Sequence, residues 1–596
     1  MAMMDSHKTP KSPSSDIAYD AIRLEVLRNA LEGIGDGMAL TVMTASRSSI
    51  VRNNLDFSTG VLNANGELVG QGLCLPIHIG GMMPALEACL NQYKGEVKQG
   101  DVLILNDPYE GGSHLPDIFL FKPVYLDRVL LGYLCAMSHH TDIGGRVAGG
   151  NACDSTEIYQ EGLRIPPLKL YSEGVPNETI FRLLEKAVRV PDKVLGDLHG
   201  QLAALDYGEN EYIRLAKRFG IEEMSQYTER LVDYTEELTR KSLSNLPDGE
   251  WSFTDYIDND GFGTGPIPIV VTLTKKDDQM HADFAGTGPQ SKGAIQPVFQ
   301  TTKGMVCAAV KTALSANGID IPNTAGSFRP ITITAPEGSY VNPLPPAPVA
   351  ARGLGCVRIF QTVMGALAKI LPDSTPACSG GTEFIITMAG YDKKKTPWKP
   401  WIMVDTFLEI CSGGYPDRDG MDAQHVWTTN VSIAPAETLE AEIPVQVTES
   451  NILPDSEGAG KFRGGVGIRR GYRYLTHDAI VQIRSDRTEH TPFGLQGGLD
   501  SRKTYLQIES SNSTRLMPSK FIETMNHGDT LIAEVPGGGG WGNPLERCPS
   551  LVMEDIVAEK ISVSRSKAIY GVVIDTKKMK VNTEETEKLR RQLRSS

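Results

Sequence analysis

Residues able to bind a divalent cation crowd into one short part of this chain. The run Asn106-Asp-Pro-Tyr-Glu-Gly-Gly-Ser-His-Leu-Pro-Asp117 is followed by Ser138-His-His-Thr-Asp-Ile-Gly-Gly145, and four of the eleven histidines (His78, His114, His139, His140) fall between residues 78 and 140. Imidazole nitrogen and carboxylate oxygen are donors that Zn²⁺, Mn²⁺ or Fe²⁺ accept. A catalytic site of this kind keeps about three protein ligands and leaves a position open. His114, Asp117 and His139 fit that count, and Asp56, in Leu55-Asp-Phe-Ser, offers a fourth oxygen. A histidine in a glycine-rich loop can equally cap a turn, so the pattern of two clusters carries more weight than any one residue.

Two β-type runs, Ile118 to Leu126 and Val129 to Met137, lie between the clusters. A hairpin brings its outer ends together, which would make His114, Asp117 and His139 face one another. Neighbours on a strand point to opposite faces. His139 and His140 therefore do not share one ion, and His140 and Asp142 are read as catalytic residues that handle a proton beside it. His78, in Leu75-Pro-Ile-His, orients a ligand or packs. A bound divalent ion lowers the pKa of its water from 15.7 toward ~7, or polarises a carbonyl oxygen, which suits hydrolysis or carboxyl transfer.

The rest of the chain must hold this cluster in place. At 596 residues it is too long for one compact core, and 40% apolar with 22% charged residues is an ordinary globular composition. The net charge of −14 argues against nucleic acid as a partner. No apolar run approaches the ~18 residues of a membrane span. The nine cysteines contain no C-x-x-C pair and read as reduced thiols of a cytoplasmic protein.

The expected class is mixed α and β (α+β), multidomain, with largely antiparallel β units and a helical insertion. Residues 1–15 read as a disordered polar leader. Residues 16–176 form a β-rich metal-site domain opened by a helix from Ile17 to Gly33, with a second helical run from Met38 and another from Gly81 to Tyr93. Asn65-Gly66 marks a hairpin. Residues 177–247 have a 3.6-residue apolar period and form the helical insertion. A mixed α/β domain over 248–434 carries helical runs at Gly304 to Ser315 and Arg358 to Ile370. Residues 435–550 are β-rich, and 551–596 form a helical tail that frays after Lys577.

Two glycine-rich runs invite a phosphate reading and do not sustain it. Gly458-Ala-Gly-Lys-Phe-Arg-Gly-Gly-Val-Gly467 has no Ser or Thr after Lys461, and Gly537-Gly-Gly-Gly-Trp-Gly542 has no basic residue. Both read as turns or close backbone approaches. ATP, if used, is bound elsewhere.

The motifs around Asp56-Phe-Ser, Pro76-Ile-His-Ile-Gly80, Asn106 to Asp117 and His139 to Gly145 resemble the hydantoinase B family. So do Asp283-Phe-Ala-Gly-Thr287, Phe462-Arg-Gly-Gly465, Pro536 to Gly542 and the tail from Asp555 to Gly571. The resemblance spans roughly residues 17 to 575. It implies a divalent metal (Zn or Mn) on His114, Asp117, His139 and Asp56, and a hydantoinase A-type partner that binds ATP and phosphorylates a small-molecule carbonyl substrate. Some complexes of this kind also contain a small additional subunit. Two completions follow: hydrolysis of a lactam or hydantoin, or transfer of bicarbonate-derived carboxyl to a ketone, as in acetone and acetophenone carboxylases. Arg52-Asn-Asn-Leu55 and Arg352-Gly-Leu-Gly-Cys356 depart from the hydrolytic pattern and point to a ketone carboxylase. A scaffold that has lost its metal is the non-enzymatic alternative.

Overall fold

The computed structural model describes residues 20–72, 75–316, 318–407 and 409–595, so the leader expected over 1–15 lies outside them. The first helix, α1 (Ala21–Ala45), is capped by Asp20, whose carboxylate accepts from the Ile22 and Arg23 amides. It buries Leu24, Leu27, Leu31, Ile34, Met38 and Val42 along one stripe. The expected break at Gly33 is absent. A Cβ on Gly35 would sit 2.4 Å from Gly72 N, and one on Gly37 would sit 2.3 Å from the Tyr207 ring. These glycines allow close packing inside one helix and do not end it.

The region that carries the candidate ligands is a seven-stranded antiparallel sheet in the order β2-β1-β5-β4-β3-β6-β7. Its strands are β1 (Phe57–Asn63), β2 (Leu68–Gln71), β3 (Val102–Leu105), β4 (Asp117–Leu126), β5 (Val129–His139), β6 (Leu168–Ser172) and β7 (Val175–Pro176). Side chains alternate along β4. Ile118 and Leu120 join one core cluster, and Phe119 and Phe121 join another. The first cluster includes residues of α1 and of a long helix, Pro191–Phe219; the second includes Met82 and Leu86 of the helix Pro76–Tyr93. Both faces are covered, which explains why these strands read as continuous apolar runs. The Pro76–Tyr93 helix starts earlier than expected because Pro76 takes the first-turn position that proline favours.

The insertion consists of the helices Glu178–Ala187, Pro191–Phe219 and Ile221–Ser244. Beyond it, the strands Gly249–Ile257, Ile267–Lys276, Gln279–Asp283 and Ile331–Thr334 form a four-stranded sheet whose last pair is parallel. The helix Gly353–Ile370 packs against that sheet. It is the one described helix long and apolar enough to cross a membrane, and it is 94% buried inside the protein. The largest apolar cluster contains residues from Leu24 to Val431 and is continuous through the insertion.

The C-terminal half adds two antiparallel sheets. One contains Ile385–Asp392, Lys399–Thr406, Ala479–Arg484 and Lys520–Met525; the other has five strands, from Val445–Ile452 to Thr530–Val535. A second core, including Met388, Val481, Tyr472 and Leu531, joins them. The tail is still helical beyond Lys577. The helix Thr583–Ser595 follows Lys577, and Arg590 ties it down by donating to the carbonyls of Tyr570 (3.0 Å) and Arg547 (2.6 Å). The glycine runs pack backbone against backbone: Gly458 N donates to Gly538 O at 2.7 Å, and a Cβ on Gly464 would meet that same oxygen at 2.0 Å.

Candidate metal centre

The hairpin of β4 and β5 sets the site. Asp117 opens β4, His139 closes β5, and the two are direct cross-strand partners. His114 lies in the tight loop before β4, where the Asp117 amide donates to the His114 carbonyl at 3.1 Å. His114 Nε2 is 2.9 Å from Asp117 Oδ1 and 3.2 Å from His139 Nδ1, and His139 Nδ1 is 3.2 Å from Asp117 Oδ1. A tetrahedral ion with ligands about 2.0–2.1 Å away sets them roughly 3.3 Å apart. The three side chains therefore stand close to the spacing such an ion requires, and all three are buried.

Their surroundings favour ligation. His114 Nδ1 lies 2.7 Å from the carbonyl of Ala350. A carbonyl only accepts, so the proton sits on Nδ1 and the Nε2 lone pair is left for a cation. Burial, with Arg352 nearby, lowers the His114 pKa to about 3 and keeps the ring neutral. Burial pushes the Asp117 carboxyl up, but His114 and Arg352 overcome it and hold Asp117 well below the usual carboxylate range. Asp117 Oδ2 accepts from Ser113 Oγ and Arg352, leaving Oδ1 toward the histidines. On the far side of His139, Nε2 is 3.1 Å from the Asn151 amide nitrogen, while Asn151 Oδ1 has no partner among the described residues. Turned over, that amide accepts a proton from Nε2 and frees Nδ1 for a cation. The donor set fits a divalent metal.

Asp56 stands beside this cluster and outside the group of three. Its carbonyl accepts from the His139 amide at 3.0 Å, its Oδ1 has no hydrogen-bond partner among the described residues, and His78 Nε2 is 3.5 Å away. Burial raises the Asp56 carboxyl to about 6, against the pull of His139. His78 is held through Nδ1, 2.9 Å from Ser58 Oγ, and burial lowers its pKa to about 3.

His140 and Asp142 do not reach the cluster. His140 turns to the opposite face, with Nε2 3.0 Å from Gln201 Oε1 in the Pro191–Phe219 helix. Asp142 accepts from the amides of Gly149 (3.0 Å) and Arg189 (2.5 Å) and pairs with the Arg189 guanidinium (3.1 Å). Strand alternation accounts for the first, and a half-buried ion pair that anchors the loop accounts for the second.

Residues without a local sequence signal complete the surroundings. Glu161 Oε1 accepts from the Val349 and Ala350 amides at 2.7 and 3.0 Å, fixing the loop that presents the Ala350 carbonyl and Arg352. Glu383, just before the strand Ile385–Asp392, and Arg484, at the end of Ala479–Arg484, approach from the C-terminal half; the strand register sets Arg484 opposite Ile385. Ser113 lies inside the first motif, and Arg352 in a stretch notable only for departing from one.

A family model for hydantoinase B/oxoprolinase matches residues 20–544. The chain belongs to the hydantoinase B/oxoprolinase family. The caprolactamase subunit beta of Pseudomonas jessenii is 29% identical to this family member, over 93% of this chain and 96% of that one. The crystal structure of the ATP-dependent caprolactamase from that organism matches with a TM-score of 0.88 at 28% identity, covering 96% of this chain and 100% of that one. The nucleotide-free structure of acetone carboxylase also gives a TM-score of 0.88, at 17% identity over 96% of this chain and 83% of that one. This second likeness shows a shared fold.

Proposed function

We propose that this chain is the metal-bearing subunit of an ATP-dependent cyclic-amide hydrolase, with ATP held by a separate hydantoinase A-type chain. The observation that carries the reading is the convergence of His114, Asp117 and His139 on one buried point with their lone pairs oriented by Ala350, Arg352 and Asn151. A divalent ion there, zinc or manganese, supplies Lewis acidity for attack on an activated carbonyl carbon. The chain's own residues keep the His114 imidazole neutral, orient both rings and exclude bulk water. His140 and Asp142 act as positioning residues, one against Gln201 and one against Arg189.

The full-length likeness to a caprolactamase subunit supports amide hydrolysis. The two stretches that depart from the hydrolytic pattern serve the packing of the site. Asn53 Nδ2 donates to Ser49 Oγ at 3.0 Å, Asn54 Nδ2 to Thr406 Oγ1 at 2.9 Å, and Arg352 to Asp117. These contacts hold the site together and carry no information about bicarbonate. The reduced state of the cysteines, none of them disulfide-bonded among the described residues, suits the cytoplasm.

The test has two parts. Metal content of the native chain, H114A and H139A should fall from one equivalent to none in the variants, with unchanged circular dichroism. The native chain reconstituted with a hydantoinase A-type partner should open a lactam or hydantoin ring in step with ATP consumption. Incorporation of labelled bicarbonate into a ketone, without ring opening, would replace this reading with the carboxylase; retained metal in H139A would remove its basis.

A further inference from the structure

Side chains from four distant segments form a ring beside the triad. Asn151 touches His139, and its backbone carbonyl accepts from Arg484 Nη1 at 3.3 Å. Arg484 Nε stands 3.6 Å from the Glu383 carboxylate. That carboxylate packs on the start of the Gly353–Ile370 helix, where a Cβ on Gly353 would come within 2.0 Å of Glu383 Oε1. One residue earlier, Arg352 returns to Asp117.

All the members are buried, and several of their polar atoms are unused. Arg484 Nε, Arg352 Nε, Glu383 Oε2 and Asp56 Oδ1 have no hydrogen-bond partner among the described residues. Arg484 is the sharpest case. It is 3% exposed, yet its five donors make a single hydrogen bond to the described residues. Arg358, Arg463, Arg487 and Arg547, also buried, each donate directly to at least one carboxylate; Arg470, which like Arg484 hydrogen-bonds only a carbonyl, has the Asp405 carboxylate closer, at 3.3 Å. A buried guanidinium without that compensation is costly unless another anion satisfies it. Glu383, Cys153, Arg352 and Asp56 all lie close enough to Arg484 to act on it electrostatically.

We propose that Arg484 and Arg352 form an oxyanion-binding subsite next to the candidate metal centre, with the Glu383 carboxylate competing for the Arg484 guanidinium until an anion arrives. The ligand class is a small oxyanion, phosphate or carboxylate. The role of that ligand, as the oxyanion borne by the reacting substrate, rests on the function proposed above; the binding site itself rests on the ring of contacts. The planar guanidinium fork suits two oxygens of one such group.

Calorimetric titration of the full-length, metal-loaded chain with inorganic phosphate, and separately with bicarbonate, tests this. One of the two should bind with unit stoichiometry, and which one distinguishes a phosphoryl from a carboxyl source. R484Q should weaken that binding on the order of tenfold to a hundredfold, the loss expected for a charge-assisted hydrogen bond. E383Q should tighten it, because the carboxylate competing for Arg484 is gone. A purely structural ion pair moves neither affinity in these directions. Equal affinity in the native chain and R484Q overturns the proposal, as does a metal-loaded native chain that binds neither anion. If R484Q fails to fold, the E383Q result decides alone, and unchanged or weaker binding refutes the subsite. Failure of the functional reading shows separately, as a native chain that takes up no zinc or manganese; the same order of variants then applies to the metal-free chain.

Discussion

Arg352 donates to Asp117 across 235 residues of sequence, and both side chains are buried. The pair joins the N-terminus of the Gly353–Ile370 helix to the first residue of β4, so the candidate metal centre is closed from a distant part of the chain. Removing one partner of a buried ion pair leaves an uncompensated charge. R352M should therefore destabilise the metal-free protein by about 3–5 kcal/mol in urea unfolding and weaken metal uptake. Unchanged stability would mean that Asp117 finds another cation.

Glu161 gives a pH signature away from the metal ligands. Burial raises its carboxyl from 4.5 to about 8, against the pull of the Ala350 and Val349 amides. The folded state thus binds this proton more tightly than the unfolded chain does. Its contribution is fully present below about pH 4.5 and is lost as the pH rises through about 8. E161Q keeps an acceptor for the loop and cannot ionise. Between those limits, the stability of E161Q relative to the native chain should rise with pH, by up to about 1.4 kcal/mol per unit. Parallel stability profiles would show that Glu161 is ionised in the fold.

The glycine runs predict intolerance of a single methyl group. In G464A the new Cβ would stand 2.0 Å from Gly538 O, which is backbone and cannot swing away. A loss of about 1–3 kcal/mol, typical of overpacking, should appear as a lowered melting temperature. G174A is the control for space, since nothing lies within 4 Å there. Its positive φ of 86° makes the control strict, because backbone strain is then its only cost.

The tail is held by shared carboxylates. Asp555 accepts from Arg463 Nε at 2.9 Å and Arg547 Nη2 at 2.6 Å. D555A takes one carboxylate from each of two buried guanidinium groups, leaving Asp422 on Arg463 and Asp419 on Arg547, and should cost about 1.5–3 kcal/mol, the loss expected for charge-assisted hydrogen bonds. D417A, which breaks an exposed pair with Arg418, should change stability by less than about 1 kcal/mol. Similar melting temperatures for the two variants would mean that the tail is not part of the cooperative fold.

How much of this was legible in the sequence depended on separation along the chain. His114, Asp117 and His139 could be brought together on paper because one hairpin connects them, and strand alternation already separated His139 from His140. Arg352, Glu383 and Arg484 could not, since tertiary packing alone joins their segments to that hairpin. Local rules also misled at particular glycines. Gly33 looks like a helix stop, but Gly35 and Gly37 further along α1 mark places where a backbone and an aromatic ring press against the helix. At the tail, high charge suggested fraying, whereas Arg590 spends its charge on two backbone carbonyls.

The backbone-on-backbone seam between the two glycine runs also bears on how such chains are read. Lys461, the one lysine in the first run, leans over the Phe462 ring at 5.4 Å, and the neighbouring amides are taken up by carbonyls across the seam. Its glycines and lysine give this stretch the look of a nucleotide loop, and substitutions there should lower activity as if a cofactor had been lost. The cause would be mechanical: a zipper of peptide planes that no longer closes.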